Sequence, residues 1–518
     1  MNTQFLPDGI IIIDFGGQYC HLIARRVREL NVFSEIFPSD TSIEEISSIY
    51  NIMKVKGIIL SGSPASVNSK SALKIDKKIL ELGIPILGLC YGHQLLADIF
   101  GGQVKSGVNK EYGQKIAYID EKTGLLEGLK DTEKVWMSHG DTVFKIPACL
   151  RAIAHTDTTP VAAFVHNLKP IYGIQWHPEV VHTENGSVML RNFIFNVCKC
   201  NSNWKPTDNI KEAIEEIRKK VGDKKAIIAL SGGVDSSVAA TLAGKALGDK
   251  VAMIYVDNGL MRLNESNQVK VAMKRISFNV KVVDARERFL DRLKGVTDPE
   301  KKRKIIGEEF IRVFEQEAKK FGAEFLIQGT IYPDRIESGI TQNADTIKTH
   351  HNVGGLPIEM EFKGIVEPLR NLYKDEVRGL GTRLGLPNEL IWRQPFPGPG
   401  LAVRIIGEVT EEKLETLQKA DAIVIEEIEH SEIAGKPWQY FAILTDTFTT
   451  GVKGDERAYG RTIAIRIVES NDAMTANFMK TPWELIEKIS TIITNSIPQV
   501  TRVVYDVTNK PPSTIEWE

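Results

Sequence analysis

The sequence predicts an α/β protein with two doubly wound parallel-sheet domains, followed by a smaller α+β C-terminal domain. Three observations predict this class. Short β-branched apolar runs alternate with helix-length segments through about the first 200 residues, and a second alternating series begins near residue 225. After residue 394 the order changes to a long helix, two apolar strands, another helix and a last strand. Regular alternation is typical of parallel sheets covered by helices on both faces.

The first domain is predicted at residues 8–203. Its buried parallel strands are "IIIIDF" (10–15), "GIIL" (57–60) and "IPILGL" (84–89), and "QYCHLIARRVREL" is a helix between the first two. Strand-like runs follow at "QKIAYI", "VAAFVHN" and "IYGIQW", and an amphipathic helix at "SVMLRNFIFNVCK". The periodicity stops at "CNSNWKPTDN", whose Pro, Asn, Ser and Asp residues indicate a domain boundary.

The second domain is predicted at 204–394 and the third at 395–518. A helix capped by Asp208 or Asn209 opens the second domain, with apolar residues on one face at Ile210, Ile214, Ile217 and Val221. Its strands are "KAIIAL" (225–230), "VAMIYVD" (251–257), "KVVDA" (281–285) and "EFLIQGT" (324–330). Prolines and glycines in "QPFPGPG" (394–400) interrupt the pattern. The third domain then holds a helix at about 410–430, strands "YFAILT" and "TIAIRIV", a helix after Pro482 and the strand "RVVYDV".

Composition favours small-molecule ligands. The chain has 518 residues, 25% charged residues and a formal net charge of −2, so electrostatics favour neither nucleic acid nor a membrane surface as partner. We find no apolar run of membrane-spanning length, and "MNTQFLPDG" lacks the features of a secretory signal, so we expect a cytoplasmic protein. Five sparse cysteines do not suggest a disulfide framework, and Cys198 and Cys200 are too closely spaced for a typical zinc pair.

"LGLCYGHQ" places Cys90 between two glycines where a strand gives way to a helix. Glycines beside a reactive residue permit the tight strand-to-helix turn of a nucleophile elbow, and a helix N-terminus favours the thiolate. The alternative is an inert buried cysteine. "IYGIQWHPE" favours the nucleophile, because His177 and Glu179 are spaced so that the carboxylate can orient an imidazole that takes the thiol proton.

"DFGGQY", "ILSGSPAS", "GLCYGHQLLA", "SHGD" and "GIQWHPE" in this order resemble the class I glutamine amidotransferase family. The resemblance implies that Cys90 attacks the side-chain amide of glutamine, with His177 as general base and acid and Glu179 as its orienting carboxylate. It also implies an oxyanion hole made by main-chain amides near Gly62 and Tyr91, and a glutamine pocket that includes Gln94. Many members have Gly at Ser63, a difference we expect to be harmless if the turn is kept.

"IIALSGGVDSS" predicts a phosphate-binding loop between a strand and a helix. The loop lacks the ending of a Walker A sequence and resembles the pyrophosphate loop of N-type ATP pyrophosphatases, although a polar turn without function would look similar. The resemblance implies ATP binding, with Asp235 holding magnesium. The implied ATP-binding residues are Ser231, Gly232, Gly233, Val234, Asp235, Ser236, Ser237 and Asp257. A turn or cap role is the alternative for Asp257.

The remaining motifs resemble the glutamine-hydrolysing GMP synthase family over nearly the whole chain. They include "KRKIIG", "GTIYPDRIES", "IKTHHNVGGLP", "LYKDEVR", "PFPGPGLAVR", "GDERAYG" and "KPPSTIEWE". The resemblance implies that ATP adenylates the C2 oxygen of xanthosine monophosphate (XMP) and that ammonia displaces AMP. The implied XMP contacts are Arg303, Asp455, Lys510, Ile515 and Glu516. It further implies a homodimer joined through the C-terminal domain.

Three residues are assigned to the lid or the adenylation step. Lys348 lies in a Gly-containing segment suited to a closing lid, with His350 and His351 as loop contacts and no metal. Asp334 and Glu337 are three residues apart on a predicted helical turn, and spacing alone leaves a shared metal and a solvated face equally open.

Lys453 and Arg461 stand at positions that vary within the family, so they leave the substrate assignment unchanged.

Two other functions are alternatives to GMP synthesis. An amidotransferase with another acceptor, forming NAD or asparagine, would share both modules, but "GDERAYG" and "KPPSTIEWE" do not support it. A nucleotide sensor with an inactive glutaminase half is the second. The intact set of Cys90, His177 and Glu179 argues against the sensor.

Overall fold

The computed structural model describes residues 6–205, 210–337, 362–470 and 475–518, apart from the side chains at 107–109, 337 and 453. The chain forms two compact units, Met1–Lys205 and Pro206–Glu518. This division lies close to the first predicted boundary. The second predicted boundary, at 394/395, falls within unit 2, where one apolar core includes residues from both sides of it, such as Leu326 and Leu401. The division into a second and a third domain therefore remains a prediction.

Unit 1 contains nine strands and four α-helices among its described residues. In chain order they are β1 (Asp8–Asp14), α1 (Cys20–Glu29), β2 (Phe33–Pro38), α2 (Ile43–Ser48), β3 (Lys54–Leu60), β4 (Ile86–Leu89), α3 (Tyr91–Ile99), β5 (Gln103–Ile119), β6 (Thr132–Lys145), β7 (Leu150–His155), β8 (Ala163–His166), β9 (Ile171–Ile174) and α4 (Gly186–Arg191). A π-helical segment, Asn192–Val197, continues α4.

The nine strands of unit 1 form one sheet in the order β2-β1-β3-β4-β9-β8-β7-β5-β6. The first five strands in this order are parallel, as predicted, and the remaining pairings are antiparallel. The sheet is thus mixed, where the sequence had predicted a parallel one. Antiparallel neighbours need only short connections, and most of the chain between β5 and β9 is connected in that way. Ile11, Ile13 and Ile58 of the parallel half are fully buried and form the centre of the apolar core.

Unit 2 begins with an alternating series of helices and strands. In chain order they are α5 (Ile210–Val221), β10 (Ala226–Leu230), α6 (Val234–Leu247), β11 (Val251–Asp257), α7 (Glu265–Arg275), β12 (Val280–Asp284), α8 (Arg286–Leu293), α9 (Pro299–Phe321), β13 (Phe325–Ile327), α10 (Tyr332–Glu337), β14 (Gly364–Val366), α11 (Lys374–Leu384) and α12 (Asn388–Ile391). The four predicted strands and the predicted first helix are all present.

The five strands form a parallel sheet in the order β12-β11-β10-β13-β14. The chain moves outward from β10 through β11 to β12 and then crosses to β13 on the opposite side of β10. The strand order therefore reverses between β10 and β13. In open parallel sheets, ligands bind beyond the carboxyl ends of strands at such a reversal.

The rest of unit 2 has a mixed sheet and two long helices. In chain order the elements are α13 (Glu411–Glu429), β15 (Gln439–Lys453), β16 (Glu456–Glu469), β17 (Asn477–Phe478), α14 (Trp483–Ser496) and β18 (Val500–Tyr505). β16 pairs antiparallel with β15 and β17 and parallel with β18. β15 and β16 extend well beyond the apolar runs that predicted them. Among all the described helices, none is long and apolar enough to cross a membrane.

Candidate active sites

Cys90 lies at a strained turn between β4 and α3. Its φ of 52° is in the left-handed region, which non-glycine residues rarely occupy outside functional turns. A Cβ added at Gly88 would approach the backbone of Gly92 to 2.5 Å, and one added at Gly92 would approach the backbone oxygen of Leu60 to 2.5 Å. Both glycines are required because strand and helix backbones meet directly. The arrangement is that of a nucleophile elbow.

Two of the three backbone N–H groups at this turn donate to carbonyl oxygens. The N–H of Cys90 donates to Ile174 O (2.9 Å), and the N–H of Gly92 donates to Ser61 O (3.2 Å). Within the described chain, the N–H of Tyr91 has no carbonyl partner. A main-chain donor directly after the nucleophile is what an oxyanion hole requires, and the sequence assigned this role to Tyr91.

Gly62 packs against the reactive pair. A Cβ built at this position would lie 3.1 Å from Cε1 of His177 and 3.7 Å from Cβ of Cys90. Ser63 accepts a hydrogen bond on its Oγ from the N–H of Ala65 at 3.1 Å. The side chain of Ser63 thus supports the local turn, which is consistent with a serine replacing the more usual glycine.

His177 and Glu179 form a buried pair in the segment after β9. Nδ1 of His177 lies 2.7 Å from Oε1 of Glu179, and both side chains are buried. Burial by itself would lower the pKa of His177, but attraction to Glu179 and to Cys90 raises it well above the ordinary value. The Sγ of Cys90 donates to the backbone oxygen of Ser138 at 3.7 Å, and Cys90 and His177 line the same cavity. The imidazole therefore lies between the thiol that it can deprotonate and the carboxylate that stabilises its charged form.

Cys90 and His177 open onto a cavity of about 630 Å³, and Glu179 lies behind His177 without lining it. Its lining includes Gly62, Cys90, Tyr91, Gln94, Ser138, His139, Asp141 and His177. The side-chain amide of Gln94 donates to Asp141 O (2.8 Å) and to Oε1 of Gln175 (3.1 Å). Gln94 thus braces the cavity wall, and all six residues assigned to the glutaminase site lie in one place.

The glycine-rich loop of unit 2 joins β10 to α6 at the carboxyl edge of the parallel sheet. Gly232 has a φ of +76°, and Gly233 is the N-cap of α6. The hydroxyls of Ser231 and Ser236 are 3.1 Å apart, and the hydroxyl of Ser237 donates to Gly233 O at 2.8 Å. This is a compact turn at a helix N-terminus, which is suited to an anion such as pyrophosphate.

Two basic side chains that the sequence reasoning missed hold this loop. Nζ of Lys374 lies 3.0 Å from Oδ2 of Asp235. Arg393 donates to Gly232 O at 3.2 Å and pairs with the buried carboxylate of Glu265 at 2.8 Å. Lys374 lies in "LYKDEVR", and Arg393 directly precedes "QPFPGPG". Both segments had been recognised, but their position beside the loop depends on the tertiary fold.

Asp257 ends β11 with its carboxylate fully engaged. It accepts from the N–H of Gly259 (3.0 Å), the hydroxyl of Ser266 (2.8 Å) and the guanidinium of Arg286 (3.0 Å). Burial opposes its ionisation, but these bonds lower its pKa overall. The turn role considered for Asp257 is therefore present. Its contact with ATP remains a prediction.

The residues assigned to the adenylation step are only partly described. Asp334 caps α10 by accepting from the N–H of Ile331 at 3.0 Å, and Glu337 is the last residue of that helix. In the described parts of the chain, no group of three or more His, Cys, Asp or Glu residues is placed to hold a metal. Lys348, with His350 and His351, lies outside the described residues.

Three of the assigned XMP residues lie at or beside the last residues of the chain. Arg303, on α9, donates to the backbone oxygen of Glu518. Glu516 accepts two hydrogen bonds from the buried Arg404, at 2.9 and 2.8 Å. Ile515 packs with Phe441 and other residues of β15 and β16.

The other two assigned XMP residues lie elsewhere on unit 2. Lys510 forms a bridge with Ala476, and Asp455, with a φ of 66°, is exposed in the turn between β15 and β16. Among the described contacts, none links Asp455 to Arg303. The guanidinium of Arg461 lies over the Phe448 ring at 4.5 Å.

Three segments of the chain match known protein families. Residues 11–197 match the family of class I glutamine amidotransferases, residues 207–305 match NAD synthase, and residues 426–517 match the GMP synthase C-terminal domain. The chain is 54% identical to a glutamine-hydrolysing GMP synthase of Clostridium tetani, over 98% of this chain and 99% of that protein. Proteins of the same description from Clostridium botulinum and Caldicellulosiruptor saccharolyticus are each 53% identical over the same shares.

Proposed function

The chain belongs to the glutamine-hydrolysing GMP synthases, and from this premise we propose which of its residues perform each part of the reaction. The enzyme is a ligase that uses ATP and forms GMP with glutamine as nitrogen donor. The observation that carries the assignment is the full-length similarity, at 54% identity, to an enzyme of that description. Unit 1 contains the amidotransferase match, and unit 2 contains the other two matched segments.

In unit 1, glutamine hydrolysis uses Cys90 as the nucleophile. His177 takes the thiol proton, the thiolate attacks the side-chain amide carbon of glutamine, and the N–H of Tyr91 stabilises the resulting oxyanion. His177 then returns the proton to the leaving ammonia, and water releases glutamate from the thioester. The hydrogen bond of 2.7 Å between His177 and Glu179 supports this role, because it fixes the ring and favours its protonated form.

In unit 2, the loop from Ser231 to Ser237 binds the phosphates of ATP. Its position at the strand-order reversal, the helix N-terminus at Gly233 and the nearby cation of Lys374 support this. The C2 oxygen of XMP attacks the α-phosphate, pyrophosphate leaves, and ammonia then displaces AMP to give GMP. Arg303, Lys510, Asp455, Ile515 and Glu516 are proposed to contact XMP. Asp334, Glu337 and Lys348 are proposed to act in adenylation or lid closure.

Magnesium is the proposed cofactor of the ATP site. Oδ1 of Asp235 is a buried carboxylate oxygen with no hydrogen-bond partner in the described structure. Asp235 lies in the first turn of α6, within the loop proposed to bind phosphate. Magnesium commonly uses one or two carboxylates, with phosphate oxygens and water completing its shell, so a single aspartate fits the ion. When bound there, the ion would neutralise phosphate charge as pyrophosphate leaves.

We also propose the acceptor of the nitrogen, the oligomeric state and the location of the enzyme. The NAD synthase match ends at residue 305, whereas the match at 426–517 is specific to GMP synthases, which favours XMP over a carboxylic acid as acceptor. The geometry of Cys90 and His177 does not favour an inactive glutaminase half. We further propose a homodimer joined through residues 395–518. We also propose a cytoplasmic location, because all five cysteines are free thiols.

The decisive test is product analysis with the purified protein, XMP, ATP, magnesium and glutamine. We expect GMP, AMP, pyrophosphate and glutamate in equal amounts. Nicotinate adenine dinucleotide and aspartate serve as alternative acceptors. Pyrophosphate release that depends on either of these and not on XMP would overturn the proposed acceptor. Sedimentation that shows only monomer would overturn the dimer.

A further inference from the structure

Arg393, which follows α12, joins the phosphate loop of unit 2 to the start of α7. Its Nη1 donates to the carbonyl oxygen of Gly232 at 3.2 Å, and its Nη2 lies 2.8 Å from Oε2 of Glu265, the first residue of α7. The Glu265 side chain is fully buried, and that of Arg393 is 16% exposed. Because a guanidinium is planar and always charged, these two contacts fix its orientation before any ligand binds.

Gly232 permits this contact because it has no side chain. An added Cβ would lie 2.8 Å from Nη1 of Arg393 and 3.0 Å from Oε1 of Glu265. Its φ of +76° is also one that a residue with a Cβ rarely adopts. The ion pair of Arg393 and Glu265 therefore packs directly against the backbone of the loop.

The contact with Gly232 also sets the direction of the next N–H group. The peptide bond between Gly232 and Gly233 is trans, so its C=O and N–H point to opposite sides. Since Arg393 holds the C=O, the N–H of Gly233 points away from Arg393 and toward Oγ of Ser231, at 3.4 Å. That hydroxyl lies 3.1 Å from the hydroxyl of Ser236. One N–H and two hydroxyls thus converge on the same side of the loop.

The N–H of Gly233 is available to a stronger acceptor than Ser231. A distance of 3.4 Å is long for a hydrogen bond from N–H to oxygen, for which about 2.9 Å is usual. A charged phosphate oxygen accepts more strongly than a neutral hydroxyl. A peptide that already has this orientation spares ATP the cost of turning it on binding.

We propose that Arg393 is a positioning residue for the phosphates of ATP, which acts by holding the peptide between Gly232 and Gly233 with its N–H toward the phosphates. Glu265 holds Arg393 in turn. Neither side chain touches ATP. The proposal rests on the proposed function of this loop as the phosphate-binding part of the ATP site.

Glu265→Gln separates this role from a direct contact between Arg393 and a phosphate. The substitution keeps the shape of the side chain and removes a negative charge near the loop. If Arg393 contacted a phosphate, loss of that charge would leave pyrophosphate binding unchanged or make it tighter. If Arg393 positions the peptide, a weaker hold on its guanidinium makes pyrophosphate binding weaker. The two roles therefore predict results of opposite sign.

Arg393→Lys tests the same hold from the other side. An ammonium keeps the positive charge beside Glu265, so the buried carboxylate is not left without a cation. It has no planar fork, however, and a single nitrogen does not reproduce the two separate contacts to Gly232 and Glu265. We expect this variant to lose the fixed peptide orientation.

Calorimetry on the full chain measures binding of pyrophosphate with magnesium, and of AMP as a second probe. AMP lacks the β- and γ-phosphates, so a defect confined to the loop weakens pyrophosphate binding alone. The Kd for pyrophosphate should rise about tenfold in Glu265→Gln and in Arg393→Lys, an effect the size of one hydrogen bond. The Kd for AMP should change less than about twofold. The double variant should bind pyrophosphate about as weakly as each single variant, because both substitutions remove the same hold.

The matched controls are Glu389→Gln and Arg275→Lys. Arg275 and Glu389 form another arginine–glutamate pair of unit 2, with 3.6 Å between Nη1 and Oε1, and it joins α7 to α12. Both of these side chains are exposed. The two control variants should bind pyrophosphate and AMP as the wild type does.

Unchanged or tighter pyrophosphate binding in Glu265→Gln would overturn the proposal and favour a direct contact of Arg393 with phosphate. Equal weakening of pyrophosphate and AMP binding would also overturn it, because that result indicates a general structural role. Failure of the proposed function of the loop gives a different result. The wild type itself would then bind no pyrophosphate, and the positioning role would be refuted together with the loop assignment.

Discussion

Nδ1 of His177 lies 2.7 Å from Oε1 of Glu179, and the second carboxylate oxygen of Glu179 has no hydrogen-bond partner in the described structure. The hydrogen bond described for this buried carboxylate is thus made to a single imidazole. His177 and Glu179, two residues apart in the sequence, therefore form an electrostatic pair that is buried from water.

Glu179→Gln should lower glutamine-dependent GMP formation by about 100-fold or more, because the amide does not stabilise the imidazolium. The pKa of His177 should also fall, since the attraction to Glu179 is lost while only that to Cys90 remains to oppose burial. The kcat and its pH profile for glutamine hydrolysis measure both effects. Rates close to the wild type at every pH would contradict the role of Glu179.

Cys90→Ala should abolish glutamine-dependent GMP formation and leave ammonia-dependent formation intact. The reason is that the nucleophile and the ATP loop lie in separate compact units. Cys149→Ala is the matched control, since Cys149 is a free cysteine of the same unit that does not line the cavity. Loss of both activities in a folded Cys90→Ala protein would contradict the division of labour.

Gly88→Ala should destabilise unit 1 by about 3 kcal/mol or more, since the added Cβ would lie 2.5 Å from backbone atoms that hold the Cys90 turn. Gly140→Ala is the control, because the nearest atom to its added Cβ is 3.8 Å away. Chemical denaturation followed by tryptophan fluorescence measures the difference. Equal stabilities of the two variants would show that the turn can relax.

Asp235→Asn should remove XMP-dependent pyrophosphate release while glutamine hydrolysis persists. The substitution removes the charge that pairs with Lys374 at 3.0 Å and the carboxylate proposed to hold magnesium. Asp223→Asn is the control, as Asp223 is an exposed residue of unit 2 paired with Lys250. Pyrophosphate release at the wild-type rate across a magnesium titration would refute the role of Asp235.

Stability of unit 1 should depend in acid on Glu111, a buried residue of β5. Burial opposes its ionisation, but hydrogen bonds to His139 and to three threonine hydroxyls outweigh this effect. Its folded pKa, about 2, lies below its ordinary value of 4.5, so the folded state binds this proton less readily than the unfolded state does. The stabilisation is fully present above pH 4.5 and is lost as pH falls toward 2. The stability difference between wild type and Glu111→Gln should shrink over that range. A difference independent of pH would contradict an ionised Glu111.

Much of the fold followed from local patterns. The apolar runs at 10–15, 57–60 and 84–89 predicted β1, β3 and β4, because buried parallel strands need continuous apolar sequence. The antiparallel half of the first sheet was not predicted, since strand direction depends on which strands pair and not on the strand sequence. The lengths of β15 and β16 were underestimated because their outer halves are polar and exposed.

The sequence by itself determined the chemistry: a thiol on a glycine turn, a histidine and glutamate in fixed spacing, and a glycine- and serine-rich loop before a helix. These signals are local because each depends on backbone conformation within a few residues. Only the tertiary structure decided which distant side chains support them. Lys374 beside Asp235, Arg393 beside Gly232 and Glu111 beside His139 are each brought together by sheet pairing or helix packing. Such contacts join residues far apart in the chain, so no local pattern records them.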